Sequence, residues 1–63
     1  MKFKKGDVVN YSVEGLSVLR PRNHNKKVVT KIISDDLVEV EFLSSSGNKY
    51  KTRFHHSFLE LVK

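Results

Sequence analysis

The sequence predicts an all-β domain of five short antiparallel strands, and three observations favour this fold class. The chain of 63 residues contains no alanine, the residue that most favours helices. It contains nine valines, two isoleucines and two threonines, whose β-branched side chains fit a pleated sheet. Residues 37–42 and 49–54 alternate between apolar and polar positions, which is typical of strands with one buried face.

The first strand is predicted at residues 8–13, where alternation places Val9, Tyr11 and Val13 on one face. Residues 16–25 show no regular period and contain the single proline of the chain. Because proline cannot donate a backbone hydrogen bond, these residues are predicted to form a long loop between the first two strands. The leucine and valine side chains at the start of the loop are expected to pack beneath it.

Four further strands are predicted at residues 26–33, 37–42, 49–54 and 59–62. In the second strand, β-branched residues occupy five of eight positions, and the adjacent apolar pairs leave open whether the strand is regular or bulged. Short hairpin loops are predicted at residues 34–36 and 44–48, and one helical turn at residues 55–58 precedes the last strand. The residues expected to face the core from the third and fourth strands are Val38, Val40, Phe42, Tyr50, Thr52 and Phe54.

This order of strands and loops resembles the SH3-like small barrel, a fold that Tudor domains, KOW domains and several phage or plasmid mini-proteins share. The segments that carry the resemblance are Phe3…Gly6-Asp7-Val8-Val9, Val29…Ile32…Asp36…Val38…Val40…Phe42 and Phe58-Leu59-Glu60-Leu61-Val62. The resemblance covers nearly the whole chain and implies a single five-stranded antiparallel barrel over residues 1–63. The resemblance predicts the fold and does not predict the function, because proteins with such barrels have many different functions. The chain also lacks the tryptophan and the acidic long loop that members binding proline-rich peptides use.

The formal net charge of +5 arises from one part of the chain. Residues 15–34 contain five cations and no acid, whereas the cations elsewhere equal the acids in number. Guanidinium and ammonium groups donate to phosphate oxygens. The chain is therefore predicted to be a non-enzymatic module that binds the phosphates of DNA or RNA with little sequence specificity. The candidate binding residues are Arg20, Arg22, His24, Lys26, Lys27 and Lys31.

Other functional classes remain open from the sequence. The same cations would suit a small adaptor or inhibitor, of the kind that phages encode, which docks on an acidic host-protein surface, or they could serve only to keep a loop soluble. A catalytic oligomer is the third class. No Ser/His/acid pattern, glycine-rich phosphate loop or carboxylate pair supports catalysis, so neither an enzyme nor a cofactor is predicted. Glu39 and Glu41 are expected to lie beside two of the cations at positions 49, 51 and 53.

Metal binding and membrane insertion are not predicted. His55 and His56 are adjacent, so in an extended segment their side chains point in opposite directions, and His24 lies in another loop. The chain has no cysteine, which excludes disulfides and thiolate zinc sites and fits a reducing compartment. It has no apolar run long enough for a membrane span or a secretory signal. A cytoplasmic location is therefore expected.

Overall fold

A computed structural model describes residues 2–62, which form one antiparallel sheet with the strand order β4-β3-β2-β1-β5. The strands are β1 Val8–Tyr11, β2 Lys27–Ile32, β3 Leu37–Leu43, β4 Lys49–His55 and β5 Leu59–Leu61. A helix, α1, spans Val13–Leu19, and a 3-10 turn spans His56–Phe58 before β5. The five antiparallel strands and the turn before the last strand confirm the predicted fold class. The sheet is consistent with a small β-barrel-like fold.

The core lies on the inner face of the sheet. Its members are 3% exposed or less and are Phe3, Val9, Val29, Val38, Val40 and Leu59. Val29 of β2 lies directly opposite Val40 of β3, so their side chains share this face. The register then shifts between Val29 and Lys31, so β2 is irregular at this point, a question that the sequence left open.

The first strand ends at Tyr11, and helix α1 replaces the predicted end of that strand and the start of the predicted loop. Ser12 caps the helix, because its Oγ accepts a hydrogen bond from the Gly15 amide at 3.1 Å. The same Oγ donates to the Ser57 carbonyl at 2.7 Å, and the Ser12 amide donates to the Phe58 carbonyl at 2.9 Å. Seven residues are too few for a stable isolated helix, and these bonds stabilise α1 by anchoring it to the 3-10 turn.

The apolar side chains of α1 are more exposed than the sequence predicts. Val13 is 77% and Val18 is 60% exposed, while Leu16 and Leu19 are each close to 40%. Two predictions are therefore wrong: Val13 does not share the inner face of β1, and these side chains do not pack under a loop. The helix instead presents Gly15, its one buried residue, to the 3-10 turn.

Strand β4 follows its predicted alternation but is poorly covered. Its neighbour β3 buries Val38 and Val40 completely, whereas Phe54 of β4 is half-buried and Tyr50 is 50% exposed. The prediction that Tyr50 faces the core is wrong. Because β4 stands at one end of the strand order, only β3 flanks it, and its Tyr50 end lacks a covering layer.

Candidate nucleic-acid interface

The connection between α1 and β2, here called the basic loop (residues 20–26), packs against the end of β3. The Asn25 side-chain amide donates to the Leu43 carbonyl at 3.0 Å. From β1, the Asn10 side-chain amide donates to the His24 carbonyl at 2.6 Å. Two side-chain hydrogen bonds thus hold an otherwise irregular loop against two strands. Arg20 starts the loop with φ at 47°, a left-handed conformation that ends the helix and turns the chain.

The basic loop and the loop between β3 and β4 enclose a wide polar depression of about 530 Å³. Its lining residues are Arg22, Asn23, His24, Asn25 and Ser45. The His24 Nε2 lies 3.0 Å from the Pro21 carbonyl oxygen, so in this contact Nε2 carries the hydrogen and donates. Guanidinium, amide and hydroxyl groups around one depression form a set of donors that suits phosphate or sugar oxygens.

A second depression, of about 260 Å³ and with an aromatic wall, adjoins the first through the Asn25–Leu43 hydrogen bond. Its lining residues are Lys26, Val28, Glu41, Phe42, Leu43 and Lys49. The Phe42 ring centroid is 6.1 Å from that of Tyr50. Tyr50 is 50% exposed, and an exposed aromatic ring is a surface on which a nucleic-acid base can stack.

The exposed cations of the basic loop are not neutralised by nearby acids. Within residues 2–62 one ion pair is formed, between His56 Nε2 and Asp36 Oδ1 at 3.8 Å. Arg20, Arg22 and Lys26 are all exposed and have no carboxylate of this described part of the chain within 4.0 Å. Their positive potential is therefore available to an external anion.

Lys27 does not join this surface, contrary to the sequence prediction, because its side chain is 1% exposed on the inner face opposite Val9. Its Nζ donates to the Asn25 carbonyl at 2.6 Å and lies 3.9 Å from the Tyr11 ring centroid. Burial lowers the pKa of the Lys27 ammonium from its usual value of 10.5. Strand alternation is the sequence signal that could have predicted this burial, because Lys27 stands two residues before Val29, which also faces the core.

Lys31 also lies away from the basic loop, near the other end of β2. It stands opposite Glu39, and Glu39 stands opposite Arg53 on the next strand. Glu41 likewise stands opposite Lys51. The predicted placement of the two glutamates beside two cations of β4 is confirmed by this register, although no nitrogen–oxygen distance among them is within 4.0 Å.

The structure therefore brings together four of the six predicted residues and adds three that the prediction missed. Arg20, Arg22, His24 and Lys26 share the basic loop. The added residues are Phe42 and Lys49, which line the second depression, and Tyr50, whose ring centroid lies 6.1 Å from that of Phe42. Alternation assigns a side of the strand to each residue, but the exposure of Tyr50 depends on which other elements cover that side.

No family model, curated protein or solved structure matches this chain. Residues 2–62 include no helix with the length and apolar character needed to span a bilayer. The geometry of the two depressions is thus the observation from which a function can be argued.

Proposed function

We propose that this protein is a non-enzymatic SH3-like module that binds single-stranded nucleic acid through the basic loop and the Tyr50 ring. The observation that carries the proposal is that three exposed cations without a carboxylate of residues 2–62 within 4.0 Å share the basic loop, which is hydrogen-bonded to the same end of the β3–β4 hairpin that carries the half-exposed Tyr50. Arg20, Arg22 and Lys26 would contact phosphates, and Tyr50 with Phe42 would stack on a base. Phosphate contacts and aromatic stacking are the two interactions by which proteins hold single strands without reading sequence.

A duplex is a poorer fit for this surface. Reading the major groove requires a helix or a two-stranded ribbon that presents polar side chains to base edges. Helix α1 has seven residues, and two of its well-exposed side chains, Val13 at 77% and Val18 at 60%, are apolar. An acidic protein surface, the other partner that the charge suits, would not require an exposed aromatic ring at this end of the sheet. Tyr50 therefore favours a single strand.

Removing the two loop arginines is expected to weaken binding of a fluorescent single-stranded oligonucleotide about tenfold or more in fluorescence anisotropy at low salt. The variant is Arg20→Gln/Arg22→Gln, which removes two uncompensated charges from the site. For the unaltered protein, three neutralised phosphates give a log–log salt slope of about −2, since each contributes about −0.7 on a single strand. The variant keeps one of these contacts and is expected to show a shallower slope, of about −0.7, for the same reason.

The matched control is Lys31→Gln/Arg53→Gln, which removes the same charge from the outer face of the sheet. It is expected to bind nearly as well as the unaltered protein. Equal losses in both double variants would show that net charge alone drives association, and the proposed site would then be wrong. Absence of any anisotropy change with DNA and RNA strands at low salt would exclude nucleic acid as the partner. Retention of an acidic protein in that case would favour the adaptor alternative.

Replacing Tyr50 with alanine tests the stacking contact separately from the charge. Stacking of one base on an aromatic side chain contributes about 1–3 kcal/mol, so Tyr50→Ala is expected to weaken single-strand binding roughly 5- to 150-fold. The salt slope should not change, because no charge is removed. Tyr50→Phe keeps the ring and is expected to retain affinity. A Tyr50→Ala protein that binds as tightly as the unaltered one would contradict base stacking at this position.

A further inference from the structure

His55 and His56 lie side by side at the end of the sheet opposite the basic loop. Their ring centroids are 4.6 Å apart and their planes differ by 27°, so the two imidazoles are stacked. The expectation that adjacent histidines point in opposite directions is wrong here, because β4 ends at His55 and the 3-10 turn begins at His56. The change of backbone conformation brings both rings to the same side of the chain.

Asp36 completes a cluster of three metal-ligating side chains. The His56 amide donates to the Asp36 carbonyl at 2.9 Å, and Leu37 pairs with His55 in the β3–β4 register. These backbone contacts hold the loop between β2 and β3 against the start of the 3-10 turn. One ligand atom from each of Asp36, His55 and His56 lies within 4.8 Å of the other two.

We propose that Asp36, His55 and His56 form a binding site for a divalent transition-metal ion, with Zn²⁺ as the best match. Two imidazoles and one carboxylate are a ligand set that zinc uses when it keeps a fourth position open. Zinc–nitrogen distances of about 2.0–2.1 Å require ligand atoms roughly 3.3 Å apart, so the cluster must contract on binding. The Asp36 side chain is 73% exposed and that of His56 is 35% exposed, which leaves both free to change rotamer.

Ser57 can support the site through the second nitrogen of His55. The Ser57 Oγ lies 2.8 Å from His55 Nδ1, and the Ser57 amide donates to the same nitrogen at 3.2 Å. Zinc binding through Nε2 requires the tautomer with hydrogen on Nδ1. That hydrogen would then donate to the Ser57 hydroxyl, in the manner of the outer partners that orient metal-bound histidines. On zinc binding, the hydrogen bond from the Ser57 amide to His55 Nδ1 would be lost.

The cluster lies away from the proposed nucleic-acid interface. Strand β2 begins at Lys27 beside the basic loop and ends at Ile32, just before the loop that carries Asp36. The fourth zinc position would face solvent, because Asp36 and His55 are exposed. A bound ion could accept a water molecule or a donor from another molecule there. The metal proposal therefore holds or fails independently of nucleic-acid binding.

The test is isothermal titration calorimetry of the tag-free protein with ZnCl₂, together with two-dimensional NMR of the histidine rings. We expect one ion per chain with a dissociation constant in the micromolar range, and chemical-shift changes confined to residues near Asp36 and His55–His56. Asp36→Asn and His55→Ala are each expected to weaken binding at least tenfold. Asp36→Asn keeps the shape of an exposed side chain, so it reports on ligation even if His55→Ala disturbs the turn.

The matched control is His24→Ala, which removes a histidine from the basic loop and is expected to leave zinc affinity unchanged. An equal loss in His24→Ala and Asp36→Asn would show scattered surface binding and would overturn the site. A titration with no heat and no chemical-shift change up to millimolar ZnCl₂ would overturn it as well. A Ser57→Ala protein is expected to bind zinc several-fold more weakly, with the His55 tautomer followed by the nitrogen chemical shifts of its ring.

Discussion

Replacing Gly15 with alanine is expected to destabilise the protein by at least about 2 kcal/mol, although alanine usually stabilises a helix by about 1 kcal/mol relative to glycine. A Cβ at this position would lie 3.1 Å from the Phe58 carbonyl carbon and closer still to its oxygen. The obstacle is backbone, so no side-chain rotation can relieve the contact. Either α1 must separate from the 3-10 turn or its Ser12 hydrogen bonds must lengthen.

Thermal unfolding followed by circular dichroism measures this effect. A loss of 2 kcal/mol corresponds to a decrease in Tm of about 8–16 °C in a domain of this size. The matched control is Ser17→Ala, in the same helix at an exposed position, which is expected to keep or slightly raise the Tm. If Gly15→Ala also raised the Tm, the close packing of α1 on the 3-10 turn would be wrong.

Reversing the charge at Lys27 is expected to have the second large effect, a loss of about 3–5 kcal/mol in the free energy of unfolding. The ammonium of Lys27 lies over the Tyr11 ring face and donates to the Asn25 carbonyl. A carboxylate in Lys27→Glu would face the negative side of an aromatic ring and a carbonyl oxygen that cannot donate to it. A buried charge without a partner is among the most destabilising changes available.

The neighbouring residue provides the control for Lys27. Lys26 is exposed, so Lys26→Glu makes the same charge change and is expected to alter the free energy of unfolding by no more than about 0.5 kcal/mol. Urea denaturation of both variants at neutral pH separates the two cases. Similar stabilities for the two proteins would mean that the Lys27 side chain is not held in the interior.

The pH dependence of stability gives a second measurement for Lys27. Because burial lowers its pKa below 10.5, the unfolded chain binds this proton more tightly than the folded protein does. Stability is therefore expected to rise as the pH increases from the lowered pKa toward 10.5. Lys27→Met should lose this rise. Burial raises the pKa of Tyr11 above 10.0, so the folded protein holds this proton more tightly and its stability falls as the pH rises above 10.0. The unaltered protein and Lys27→Met should therefore be compared below pH 10.

Much of the candidate site followed from the sequence because it depends on which residues are adjacent in the chain. Arg20, Arg22, His24 and Lys26 are neighbours in one loop, and no acid interrupts them. Lys27 was placed with them because it follows Lys26 directly. Its side chain is buried because β2 begins at this residue and the pleat turns it to the opposite side. The exposure of Tyr50 could not be predicted, because it depends on which other elements cover that end of β4.

The fold class, both hairpin loops and the turn before β5 could be predicted from the sequence, because these depend on local alternation and turn chemistry. Helix α1 depends on tertiary contacts, since seven residues are too few for a stable isolated helix and it forms where Ser12 and Gly15 meet the 3-10 turn. The tertiary structure also decided which inward-facing side chains are covered and which ligating groups meet. Burial, stacking and ligand clusters arise between segments far apart in the chain, and periodicity within one segment carries no information about them.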